Sequence, residues 1–137
     1  MKKLLLTLFS ITFSLMLFAQ ENLYVDSKIK VQFSVEEHTD AVNDIFYEYY
    51  SFEITNVSQN QVSFTPVFNY TNEKGEQKNT ANGDDNNVIQ LTPGETIKGG
   101  LIDYKNLTLF KQFLVGNSGK RAANTTTSIQ STTINYQ

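Results

Sequence analysis

The chain has 137 residues, with 11 basic against 14 acidic side chains, 10 Phe and 7 Tyr, a single His and no Cys or Trp. An acidic balance argues against nucleic acid as a partner, because a polyphosphate calls for a basic face. Without cysteine there is no thiol nucleophile, thiolate metal site or disulfide, and one histidine cannot build a multi-histidine zinc site.

The chain opens with Lys2 and Lys3 ahead of an apolar run from Leu4 to Phe18, followed by the small residue Ala19. A run of about 15 residues is short of the roughly 20 that cross a bilayer. The order of charge, apolar run and small residue predicts a cleaved secretory signal over residues 1–19, with the exported chain starting at Gln20. No cysteine follows the run, so no lipid anchor is expected, and no membrane span remains after processing. The expected location is periplasmic or extracellular. Processing would remove two lysines and no acid, leaving residues 20–137 more acidic and of single-domain size.

From Lys28 the sequence alternates, with Ile29, Val31, Phe33 and Val35 on one side and Lys30, Gln32, Ser34 and Glu36 on the other, which predicts a half-buried strand. Glu37 to Asp44 is polar and reads as a loop. Ile45 to Val57 is rich in aromatic and β-branched residues, with Phe46, Tyr50, Phe52 and Ile54 forming its core face. Asn56 to Gln61 has turn chemistry, and Val62 to Thr71 alternates again, with Val62, Phe64, Phe68 and Tyr70 pointing one way, so these two strands are expected to pair as a hairpin. Pro66 lacks an N–H to donate and predicts an edge position or a bulge.

A turn at Lys74-Gly75 leads to a short return over Lys78 to Ala81, a loop over Asn82 to Asn87, and a strand over Val88 to Leu91. Thr92-Pro93-Gly94-Glu95 has the Pro-Gly order of a type II turn. In the next run, Thr96 to Tyr104, Gly99-Gly100 predicts a bulge or a close backbone approach. Leu107 to Val115 fits either period: Leu107, Leu109, Phe113 and Val115 as a strand face, or Leu107, Phe110 and Leu114 as a helix stripe. Its β neighbours favour strand. Ile129 to Tyr136 is expected to be a last edge strand in which Ile129 and Ile134 share a face only through a bulge. Seven or eight strands divided by turns predict an all-β, immunoglobulin-like antiparallel two-sheet sandwich in one domain.

Ser51 to Ser58, Val62 to Tyr70, the Gly75 turn and Leu91-Thr-Pro-Gly-Glu95 together resemble secreted bacterial immunoglobulin-like modules of the FxLYD type. In those modules a strand ending in Asn-x-Ser precedes a strand ending in Tyr, and a Leu-x-Pro-Gly-Glu turn follows. The Phe-x-Leu-Tyr-Asp sequence itself is missing, and Asp103-Tyr104 reverses its last pair. Leu107 to Phe113 is similar to a segment of small exported proteins of the Bacteroidetes. Neither resemblance implies catalytic residues or cofactors.

A search for chemistry yields little. His38 stands among Glu36, Glu37 and Asp40, but no Gly-x-Ser-x-Gly elbow accompanies it, and no pair of carboxylates is singled out. The loop Asn82 to Asn87 makes Asp84 and Asp85 weak candidates for calcium, although an ordinary turn explains its composition. Tyr47 and Tyr49 project from the non-core side of their strand, where tyrosine suits a recognition surface. The leading expectation is a non-enzymatic binding module whose partner is another envelope protein or a surface glycan. The alternative is a periplasmic chaperone, inhibitor or other assembly accessory acting through a sheet edge, and the third is a hydrolase.

Overall fold

The computed structural model describes residues 20–81, 87–118, 120–122 and 127–137. Both the leader and the calcium candidates Asp84 and Asp85 lie outside them. The described residues form nine strands: β1 (Glu21–Val25), β2 (Ile29–Asp40), β3 (Ile45–Asn56), β4 (Val62–Thr71), β5 (Gln77–Asn79), β6 (Ile89–Leu91), β7 (Thr96–Lys98), β8 (Thr108–Phe113) and β9 (Ser128–Tyr136). Two short 3-10 turns, Lys105–Leu107 and Gly116–Ser118, are added to these. No helix among the described residues is long and apolar enough to cross a membrane.

The strands make two antiparallel sheets. In the first, β1, β2 and β3 lie side by side, and β7 and β8 share the far edge of β3. In the second, β4 is central, with β9 along one edge and β5 and β6 sharing the other. The core lies between them. Ile29, Val31, Phe52 and Ile54 of the first sheet meet Phe64, Phe68 and Leu91 of the second. At the centre Phe52 stacks on Phe68, with ring centroids 3.6 Å apart and planes 8° from parallel. Both rings are 0 % exposed, and burying each contributes roughly 1.5–3 kcal/mol.

The expected β3–β4 hairpin does not form. Strand β3 already carries β2 on one edge and β7 with β8 on the other, so residues 57–61 take the chain across to the opposite sheet. Asn56 holds that crossing. Its Nδ2 donates to the carbonyls of Asn60 (2.8 Å) and Leu91 (3.0 Å), and its Oδ1 accepts from the Ser58 N–H (2.9 Å) and Oγ (2.8 Å). The main chain of Asn56 exchanges bonds with Gly94 and Glu95 in the Pro93-Gly94 turn. Gly94 has φ +76 and the Glu95 N–H reaches the Thr92 carbonyl at 3.1 Å, as a type II turn requires.

Pro66 lies in a strand flanked on both sides, not at the sheet edge. Strand β6 covers Val62 to Phe64 and β5 covers Asn69 to Thr71. Phe68 exchanges bonds with Thr80 on that edge, so Pro66, two residues earlier, turns its missing N–H to the same side. Its place falls in the gap between β6 and β5 rather than against the continuous partner β9.

Strand β2 is longer than expected and runs to Asp40, so His38 sits on a strand and not in a loop. The reversal is confined to residues 41–44. There the Asp40 carboxylate accepts the N–H groups of Val42 and Asn43, both at 3.1 Å, and Asp44 adopts φ 54. Leu107 to Val115 is mainly strand. The close approach at Gly99 is real, since a Cβ there would fall 2.0 Å from the Leu107 carbonyl oxygen. In β9 the register shift opposite Asn69 and Tyr70 makes Gln130 the extra residue, and Ile129 and Ile134 both pack on the core.

Candidate binding face

The outer side of the first sheet carries the candidate site. Because β2 and β3 pair without interruption, Glu36 lies opposite Tyr49 and His38 opposite Tyr47. Strand β8 adds a third column, with Phe110 opposite Tyr49 and Phe113 opposite Tyr47. Two residues three apart reach one side of a strand only through a bulge, and the register shift here makes Lys111 that extra residue. Phe113 and Val115 therefore leave the face expected for them beside Leu109. Phe113 joins the outer tyrosines.

The rings touch one another. Tyr47 lies 4.9 Å from His38, 5.9 Å from Phe110 and 6.1 Å from Tyr49 between centroids, and Phe110 lies 4.8 Å from Phe113. Phe110 is 39 % and Phe113 52 % exposed, with Ile45 and Val115 at the margin also exposed. Tyr47 is half-buried.

Of the two tyrosines expected on the recognition side, Tyr49 is only 7 % exposed. Its hydroxyl donates to the Glu36 carboxylate at 3.0 Å, and Glu36 in turn pairs with Lys98 at 2.5 Å. Burial, then the bond to Glu36, pushes the phenol up to about 12. Partial burial would raise the Glu36 carboxyl, but Lys98, Tyr49 and Ser34 outweigh it and hold the group below its ordinary value. Tyr49 thus supports the face from beneath, and Tyr47, Phe110 and Phe113 present it.

Behind the bulge, Lys111 and Gln112 both reach Glu48 on the inner side, the lysine at 2.6 Å. This anchors β8 to β3 where the bulge interrupts the ladder. A second polar cluster lies at the opposite end of the hairpin. Tyr24 (2.7 Å) and Tyr136 (2.6 Å) donate to one oxygen of Asp26, while the N–H groups of Lys28 and Ile29 bind the other, both at 2.7 Å. Burial opposes ionisation of Asp26, but these bonds prevail and hold its carboxyl at about 2. The cluster ties the β1–β2 turn to β9 of the other sheet.

No family model, curated protein or solved structure matches the chain. The site must speak through its own chemistry. Among the described residues no three His, Cys, Asp or Glu side chains gather as a metal site would require, and the His38 ring lies against Tyr47. Of the two residues expected to bind, Tyr47 is on the face and Tyr49 is under it. Sequence reasoning missed Phe110 and Phe113. In a regular strand a spacing of three places them on opposite sides, so nothing local in the sequence marked them as neighbours.

Proposed function

We propose that the chain is an exported, non-enzymatic binding module that recognises a surface glycan or another envelope protein through the outer face of β2, β3 and β8. The observation that carries this reading is the contiguous exposure of Phe110 and Phe113 beside Tyr47. Aromatic rings held on a rigid sheet offer flat apolar area at little entropic cost, and the rim of Glu36, His38 and Asp40 adds polar contacts. Sugar rings suit such a surface because their C–H faces stack on aromatic rings while their hydroxyls meet the rim.

We also infer an immunoglobulin-like sandwich. Its support is that the chain changes sheet between β3 and β4, between β6 and β7, and between β8 and β9, as Greek-key sandwiches do. The roles of Asn56, Ser58, Gly94 and Glu95 in one hydrogen-bonded crossing give a physical reason for the FxLYD-like pattern. Export rests on residues 1–19 alone, and intact mass tests it. A chain starting at Gln20 is expected, and retention of the leader would overturn that proposal.

Affinity electrophoresis through gels containing cell-surface polysaccharide tests the binding face. The wild type should be retarded and Tyr47→Ser should run freely. Equal retardation of both would remove the face from consideration.

A further inference from the structure

The hairpin carries a second surface, the edge of β2 beyond β1, which no other strand pairs among the described residues. Strand β1 stops pairing where Glu21 meets Phe33, while β2 continues for seven residues, to Asp40. The Asp26 N–H binds the Ile29 carbonyl on the β1 side and the Lys28 carbonyl takes the Val57 N–H on the β3 side. With no bulge in the β2–β3 register, odd-numbered residues of β2 direct their main-chain groups to the β1 side. The N–H and C=O groups of Val35, Glu37 and Thr39 therefore face outward, with no strand opposite them among the described residues.

A groove of about 890 Å³ follows this edge from the end of β1. On its inner side Phe33 and Val35 give an apolar floor, flanked by Glu21, Glu37 and Glu48. Glu48 is neutralised by Lys111, and Glu36 across the edge by Lys98. Glu21 and Glu37 have no counter-charge among the described residues.

We propose that this edge accepts an extended, basic segment of another protein as an added antiparallel strand. Main-chain bonds to Val35, Glu37 and Thr39 supply the pairing, as in other strand additions. Alternate Lys or Arg side chains lay their stems on Phe33 and Val35 and bring their charges to Glu21 and Glu37. The same acids disfavour a second copy of this chain, since a two-fold axis at Glu37 would set that residue opposite itself. The inference is independent of the aromatic face, which lies on the other side of the sheet.

The test is calorimetric titration of residues 20–137 with a peptide of about eight residues, a common strand length, alternating Lys and Thr, against one alternating Glu and Thr. The basic peptide should bind at least tenfold more tightly than the acidic one, more weakly as salt rises, and should slow amide exchange at Val35, Glu37 and Thr39. Glu37→Pro removes one outward N–H without touching the β3 ladder and should cost at least tenfold. Glu37→Arg, which keeps the N–H, should weaken the basic peptide and strengthen the acidic one. Absence of binding, or affinity unchanged in both variants, would overturn the proposal. So would a dimer in sedimentation whose Val35, Glu37 and Thr39 amides are already slow without peptide. Intact mass reads the export proposal separately, so the two failures are distinguishable.

Discussion

The two halves of the β2–β3 hairpin are built from similar residues but differ in what their inner and outer sides carry. In the half beside the second sheet, Ile29, Val31, Phe52 and Ile54 face inward and Lys30, Gln32, Glu53 and Thr55 face out. In the half that includes the turn, the inner side holds the Glu37–Glu48 pair with Lys111 and Gln112, and the outer side holds Tyr47, Tyr49, Phe110 and Phe113. The difference lies in what covers each side. Strands β4 and β9 shield the first half, whereas beside the second half a bulge in β8 turns aromatic rings outward. Polarity along a strand therefore records its neighbours as much as its own alternation.

The largest effect expected from breaking this contrast is at Phe52. Removing its ring from the stack on Phe68 should cost about 3–5 kcal/mol in Phe52→Ala, read from urea denaturation, and a loss no greater than that of a surface change would contradict the core assignment. Tyr49→Phe comes next. Losing the partly buried bond to Glu36 should cost about 1–2 kcal/mol, and an unchanged midpoint would mean that Tyr49 does not brace the face.

A smaller, pH-dependent effect belongs to the Asp26 clasp. Its folded carboxyl titrates at about 2, below an unfolded value near about 3.9. The stability it contributes is full above the unfolded value and is lost as pH falls through the folded one. Thermal melts of the wild type and Asp26→Asn should therefore differ at neutral pH and converge towards pH 2. A gap that stays constant across that range would remove the carboxylate from the account.

Much of the fold was legible in the sequence. Alternation placed Ile29, Val31, Phe52, Ile54, Phe64 and Phe68 in the core, the Pro93-Gly94 order gave the turn, and the mismatch between Ile129 and Ile134 announced the bulge at Gln130. Pairing was harder to read. Nothing local to Asn56 to Gln61 separates a hairpin turn from a crossing, because the decision rests on which edges of β3 are already occupied by distant strands. The site was half legible for a related reason. Tyr47 was visible on its own strand, but the cover over Tyr49 comes from Glu36 and Lys98, and Phe113 reached the face only because Lys111 shifts the register.

The smallest expected stability change goes with the largest expected loss of binding. Phe110→Ser with Phe113→Ser replaces two exposed rings, and each change should alter stability by no more than about 0.5 kcal/mol. Urea denaturation and polysaccharide-gel retardation measured on the double variant test the account most directly. A nearly unchanged unfolding midpoint together with loss of retardation is the predicted result. Retardation equal to that of the wild type, or a stability loss as large as that of Phe52→Ala, would contradict an exposed binding face on β2, β3 and β8.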